Sequence, residues 1–250
     1  MNSHHRLLVI SPHLDDAVLS CGLLLAANPG ATVCTVFTAP PHENTLTDWD
    51  RASGFADAFE AMRARKAEDV EALALLGART LHLPFRDAQY QSPPAPDALV
   101  AALGRTFAAT DPTAALIPLG LFHSDHVLVA QACLALIQRF PNIPVHAYED
   151  VPYRRIPGVV QTRLAELTER GYLAIADDDF HTEPGLRDGH EHMKQAAVAA
   201  YRSQLRAFGA DGPASLISPE RYWRLHDTAG ANTDPARQRH NACSIGSSHR

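Results

Sequence analysis

Leu7-Leu8-Val9-Ile10-Ser11-Pro12-His13-Leu14-Asp15-Asp16 is the stretch from which the rest of the chain is read. Four consecutive apolar residues have the length and character of a strand buried on both faces, the kind found in parallel sheets. The run ends on a histidine and two adjacent carboxylates. Apolar residues then resume as Ala17-Val18-Leu19 and Leu23-Leu24-Leu25, the inward face of a helix over about 15–28. A second stretch repeats the arrangement: Ala114-Ala115-Leu116-Ile117-Pro118 leads into His123-Ser124-Asp125-His126 and a helix over about 125–139. Two strand ends carrying His and Asp at close spacing are the ingredients of a mononuclear metal site.

Working outward, strand-like and helix-like stretches alternate. Residues 32–38, 80–83 and 144–149 read as further strands, the first rich in β-branched residues. An Ala/Glu/Arg/Leu-rich helix covers 52–76 and is stopped by Gly77, and another covers 97–109 after Pro93, Pro94 and Pro96. This order predicts an α/β, Rossmann-like fold: a mostly parallel sheet sandwiched between helices and joined by right-handed crossovers. Ligands of such sheets sit beyond the carboxyl ends of the strands. That rim is formed by 11–16, 38–50, 84–90, 118–126 and 149–153. Residues 174–192, with Asp177-Asp178-Asp179, read as a long loop. A helix over about 191–207 follows, with Lys194, Tyr201, Ser203, Gln204 and Leu205 packing on the core. Residues 1–228 read as one domain and 229–250 as a polar, flexible tail.

Composition narrows the function classes. The 250 residues are 46% hydrophobic and 20% charged, ordinary values for a globular enzyme with a large core. A formal charge of -6 gives no support for a nucleic-acid partner. No apolar run approaches the roughly 20 residues of a membrane span, and the first residues lack a signal-peptide core. Cys21, Cys34, Cys133 and Cys243 form no Cys-x-x-Cys, which points to reduced thiols and a cytoplasmic setting.

His13 and Asp16 are three residues apart across a strand-to-helix turn, so their side chains point the same way. His126 supplies a third ligand from the other strand end. Two imidazoles, one carboxylate and an open position suit a hydrolytic Zn²⁺ site; non-haem Fe²⁺ or another divalent ion takes the same set. Asp15 points elsewhere, towards whatever the ion holds. Taken alone, Asp-Asp at a helix start is usually a cap; it is the two clusters at sheet ends in one chain that favour the metal reading. On the rim, Asp48-Trp49-Asp50 is a candidate stretch to meet a sugar, with Trp49 stacking on its apolar face. Tyr153, after the fifth strand, is a candidate donor to a substrate.

The chain resembles the PIG-L/LmbE-like zinc N-deacetylases. Their first motif, A-H-P-D-D-E, is matched in frame by Pro12-His13-Leu14-Asp15-Asp16-Ala17, identical at His13, Asp15 and Asp16, and their second, H-P-D-H, by His123-Ser124-Asp125-His126. The resemblance covers roughly residues 6–150. It implies that His13, Asp16 and His126 hold zinc and that Asp15 is the general base. Arg65-Lys66-Ala67-Glu68 looks like the family's helix motif, whose Arg65 reaches the substrate, and Asp87 matches a sugar-hydroxyl contact. The implied reaction removes an N-acyl group, most simply acetyl, from an amino sugar or aminoglycosylated metabolite. Zinc activates the attacking water, and His123, oriented by Asp125, serves the oxyanion or the departing nitrogen. Three departures stand out. Leu14 replaces a Pro, Ala17 a Glu, and Leu121 occupies the place where some members carry Tyr. The implied partner is a small N-acylated amino-sugar conjugate, with no nucleic acid or membrane; a homo-oligomer stays open. Three other readings compete, and one of them, an Fe²⁺ oxygenase with the same three ligands, usually rests on a β-jelly-roll rather than on an alternating α/β scaffold. A non-catalytic sugar- or nucleotide-binding α/β module is weakened by the lack of Gly-x-Gly-x-x-Gly after the first strand. A serine hydrolase lacks its Gly-x-Ser-x-Gly elbow.

Overall fold

In the computed structural model, residues 6–90, 93–177, 187–209 and 219–228 are described. Seven strands form one sheet: β1 (Leu7–Ser11), β2 (Thr32–Thr35), β3 (Arg79–His82), β4 (Ala114–Pro118), β5 (Val145–Tyr148), β6 (Tyr172–Ala176) and β7 (Tyr222–Asp227). The order is β3-β2-β1-β4-β5-β7-β6. The first five strands are parallel, with β1 flanked by β2 (Val9 beside Val33) and β4 (Val9 beside Leu116). β7 runs antiparallel to both β5 and β6. The chain therefore leaves β1 towards one side of the sheet and later returns to β4 on the other. A switch of this kind opens a crevice between the loops that follow the two strands.

Alternate residues of β1 face opposite layers, as a period of two requires. Leu7 and Val9 pack with α1 (Asp16–Ala27), α3 (Ala58–Leu75) and α7 (Arg187–Ala200), through Leu24, Leu73 and Val198. Leu8 and Ile10 pack on the other face against α4 (Pro96–Thr110) and α5 (Ser124–Ile137), through Leu103 and Val129. Both faces are thus covered, and the mostly parallel α/β sandwich expected from the sequence is the fold.

Several elements differ from the expectation. The helix expected over 52–76 is two: α2 (Asp48–Ala52) and α3. Gly54 adopts φ 85, a left-handed turn, and Asp57 restarts the helix by accepting from the Glu60 N–H. The helix expected over 191–207 is likewise split, into α7 and α8 (Arg202–Phe208), at Tyr201. Residues 172–176, read in part as loop, are strand β6, whose Leu173 and Ile175 are exposed. β7 and α6 (Val159–Glu169) were not anticipated. Asp177 pairs with His146 at 3.0 Å. Asp178, Asp179 and the tail 229–250 lie outside the described residues.

Candidate metal centre and active site

The first lip of the crevice is the turn after β1. The Ser11 hydroxyl donates to the His13 carbonyl (2.8 Å) and accepts from the Ala17 N–H (3.0 Å), which ties the strand end to the helix start. Asp15 occupies the cap position of α1 but makes no capping hydrogen bond, and Asp16 Oδ2 instead accepts from the His13 backbone N–H at 2.8 Å. The ordinary role of an Asp-Asp pair at a helix start is therefore not the one played here.

The second lip is the loop after β4. Gly120, at φ 83, has Ala130 so close that an added Cβ would lie 2.6 Å from the Ala130 Cβ, so only glycine fits. The next residues make a three-residue turn: the His123 N–H donates to the Leu121 carbonyl (2.6 Å), with Phe122 at the apex in the left-handed region, φ 59. An aromatic residue in that conformation carries about 1–3 kcal/mol of local strain. Leu121 turns into the core, while Phe122 is 67% exposed.

These lips bring His13, Asp16 and His126 together. Their ligand atoms lie within 4.8 Å of one another. His13 Nδ1 is 3.2 Å from His126 Nε2, and Asp16 Oδ2 is 3.2 Å from each of these two nitrogens. Each histidine is held from behind by a carboxylate, which accepts only and so fixes the proton on the nitrogen facing it. His13 Nε2 donates to Asp125 Oδ2 (3.0 Å), and His126 Nδ1 donates to Asp150 Oδ1 (2.7 Å). When the rings are neutral the opposite nitrogens carry lone pairs turned inward, an arrangement typical of metal-ligating histidines. The donor set thus fits a divalent ion in composition, spacing and orientation.

The Asp125 carboxylate is not on His123, as the sequence reading had it. It bonds His13 and the Ala88 N–H (3.0 Å), and only the Asp125 backbone N–H reaches His123, donating to Nδ1 at 3.2 Å. The reason is local: His123 is the cap of α5, which fixes its Nδ1 over the first turn and leaves the Asp125 side chain to project across the crevice. His123 instead stacks on Tyr153 (ring centroids 5.8 Å apart, 24°), and Tyr153 meets His126 edge-on at 5.0 Å.

A cavity of about 330 Å³ opens beside these groups, lined by His13, Asp15, Asp16, Asp87, His123 and Tyr153 on its polar side and by Leu14, Phe37, Trp49, Met62 and Phe208 on its apolar side. Arg65, Gln89 and Gln204 also reach it. Arg65 is buried and bonds Asp50 Oδ1 (2.9 Å) and Ser53 Oγ (3.2 Å); its Nε has no partner among the described residues. Asp87 is held by Gln89 through the latter's backbone N–H (2.9 Å) and side-chain amide (2.7 Å). Trp49 donates to Gln204 Oε1 at 2.9 Å. Asp48 is a correction: its side chain is fully exposed, pairs with Arg51, and does not line the cavity. In the capping box that starts α2, Asp50 turns back to the Thr47 N–H and inward to Arg65, which leaves Asp48 facing solvent.

Sequence reasoning missed the roles of Asp150 and Gln204, and Asp50, read as a rim residue, instead pairs with Arg65 inside. Asp150 Oδ2 accepts from the Gly120 and Leu121 N–H groups at 3.0 and 2.9 Å, so one carboxylate shapes the second lip and orients His126. The available signal was its place on the rim directly after β5. Gln204 sits on a helix read as core-packing, and only the break at Tyr201 turns it to the cavity.

The electrostatics follow from this packing. Burial raises the Asp15 carboxyl well above the usual range, and the adjacent Asp16 raises it further. Asp16 goes the other way: burial opposes its charge, but His126 and His13 outweigh it and hold the carboxyl well below the usual range. Burial lowers His123, reinforced by His13 and His126. For His126 burial also works against the charge, yet Asp16 and Asp150 prevail and lift it to about 9. Two neighbouring carboxylates with opposite shifts mark a functional site.

Residues 8–137, more than half of the chain, match the family profile described as PIG-L: GlcNAc-PI de-N-acetylase. The chain belongs to the PIG-L family. No curated protein matches it at a significant level. Among solved structures, the A40926 pseudoaglycone deacetylase is 25% identical with a TM-score of 0.70, covering 90% of this chain and 99% of its own. A triple mutant of a deacetylase of the teicoplanin biosynthetic pathway is 28% identical with a TM-score of 0.71, covering 88% and 98%. The N,N'-diacetylchitobiose deacetylase of Pyrococcus horikoshii, at 16% identity and a TM-score of 0.55 over 93% and 88%, shares the fold. The first two of these neighbours are deacetylases, and the family is described by a de-N-acetylase. No helix among the described residues of this chain is long and apolar enough to cross a membrane.

Proposed function

We propose that this PIG-L protein removes the N-acetyl group from an amino sugar carried on a larger metabolite. His13, Asp16 and His126 hold a divalent ion, zinc by preference and Fe²⁺ as the alternative. Such an ion, when bound, brings the pKa of a coordinated water to about 7 and polarises the carbonyl under attack. Asp15 is the general base: it is buried beside Asp16, has no capping duty, and borders the cavity. His123, poised on the same cavity wall and oriented by the Asp125 N–H and the Tyr153 ring, is neutral with its proton on Nε2 and donates a hydrogen bond towards the oxyanion, while the proton that Asp15 takes from the attacking water passes on to the departing nitrogen. Tyr153 stays protonated, because burial and then Asp16 raise its hydroxyl, so it can donate to the oxyanion. It thereby stands in for the tyrosine that Leu121 replaces. Arg65 and Asp87 meet the sugar hydroxyls, and Trp49 its apolar face.

The observation that carries this reading is the convergence, at the switch point, of two carboxylate-backed histidines, one carboxylate ligand and a neighbouring carboxylate free to act as base. The test is amine release from N-acetylglucosamine glycosides by zinc-loaded protein. Asp15→Asn should keep one zinc per chain and lose about 10²–10⁴-fold in rate. A chelator-insensitive rate, or an Asp15→Asn variant as fast as the parent, would refute it.

A further inference from the structure

Phe122 is an expensive residue where it stands. Its ring is 67% exposed, and its backbone is held in the left-handed region at the apex of the Leu121–His123 turn. Glycine or asparagine would fill that apex more easily and leave no apolar surface in water. The ring is not isolated. It lies 5.8 Å from Tyr153 at 35°, and Tyr153, which lines the cavity, in turn stacks on His123, so three rings in succession link the cavity wall to the exposed Phe122. Phe122 itself does not line the cavity. The cavity, about 330 Å³, is near the small end of the ~300–1,000 Å³ typical of small-molecule sites. That room suits one acetamido sugar, so whatever the sugar is attached to must lie beyond the mouth.

We infer that Phe122, backed by Tyr153, is a specificity-determining residue: an exterior subsite for a flat, aromatic aglycone borne by the N-acetylated sugar. This rests on the deacetylase reading and extends it from the sugar to the class of group the sugar is joined to. A flat π-surface beside an exposed phenyl ring gains stacking contact that a small alkyl aglycone cannot supply.

The probes are two glycosides of N-acetylglucosamine, one 4-nitrophenyl and one methyl, assayed by amine release with the zinc-loaded full chain. The parent enzyme should favour the aryl glycoside in kcat/KM by about fivefold, the size of one aromatic contact. Phe122→Gly should bring the ratio close to one, and Phe122→Tyr should keep it. Phe122→Gly suits the backbone at this position, so its melting temperature should not fall, which separates lost stacking from lost fold. A Phe122→Gly enzyme that keeps the parent's ratio, or a parent without a preference, overturns the subsite while leaving the deacetylase reading intact. Release from neither glycoside overturns the deacetylase reading and the subsite with it.

Discussion

Asp150→Asn changes one atom and tests how the metal centre is organised. Asp150 is 1% exposed. One of its oxygens accepts from His126 Nδ1 at 2.7 Å, and the other from two backbone N–H groups at 3.0 and 2.9 Å. Because a carboxylate only accepts, the proton of a neutral His126 must sit on Nδ1, and Nε2 is free to ligate. In the asparagine variant the carboxamide oxygen satisfies the two N–H groups, so the NH₂ faces Nδ1. Nδ1 must then accept, the proton moves to Nε2, and the ligand lone pair is lost. Loss of such an orienting partner lowers metal affinity by about 10–100-fold, equivalent to about 1.4–2.8 kcal/mol. The fold should suffer much less, because the backbone hydrogen bonds persist. Asp150→Ala is the contrast: it also orphans two buried N–H groups, at about 1–3 kcal/mol each. Zinc affinity would be measured by competition with an indicator chelator, and stability by urea unfolding in EDTA. If Asp150→Asn binds zinc within twofold of the parent, the tautomer argument is wrong.

Arg65→Ala should destabilise the protein by about 3 kcal/mol, near the low end for breaking a buried ion pair, because Tyr90 and the Thr47 N–H still hold Asp50. Adding Asp50→Asn should recover part of that loss in urea unfolding; a loss below about 1 kcal/mol for the single variant would contradict the pairing. In chelated protein, His126 titrates at about 9 against about 6.5 when unfolded. A raised pKa contributes stability that is fully present below about 6.5 and lost as pH rises through about 9. The melting temperature of the EDTA-treated protein should therefore fall across that window, whereas zinc-loaded protein, whose His126 is neutral and ligated, should lack this dependence. Equal pH profiles for the two forms would count against His126 as a ligand.

The central sheet was readable because its strands announce themselves. Leu7–Ile10 and Ala114–Pro118 are continuous apolar runs, and their parallel neighbours are β-branched or bounded by turn residues. The two antiparallel strands, β6 and β7, were not readable for the opposite reason. β6 alternates with Leu173 and Ile175 exposed, and the β7 sequence Tyr222-Trp223-Arg224-Leu225-His226-Asp227 owes its place to pairing with β5 rather than to its own pattern. The inner site was legible wherever side-chain spacing was local, as with His13 and Asp16. It was not legible where one helix cap decides orientation. His123 as the α5 cap sends the Asp125 side chain to His13, and Thr47 as the α2 cap sends Asp50 inward and Asp48 out. Those outcomes depend on backbone direction at the first turn, which residue types alone do not encode.

The same geometry explains why chemistry and selectivity can vary independently in this fold. His13 and His126 are 113 residues apart, yet their separation in space is set by a short register, Leu7 beside Ala114 and Val9 beside Leu116. The chain between β1 and β4 can change in length without shifting that register, because loop insertions cost little once the strands are paired. In this chain the intervening length supplies apolar lining of the cavity, through Phe37, Trp49 and Met62, while the ligands and the base stay on the turns and helix starts that follow β1 and β4. The exception is the loop after β4, where ligand and rim are adjacent residues. Phe122 and His123 share one strained turn, so a change of aglycone preference at Phe122 acts directly on the backbone that positions the histidine. A selectivity change made there should shift kcat as well as KM, whereas one made at Trp49 on α2 should act mainly on KM.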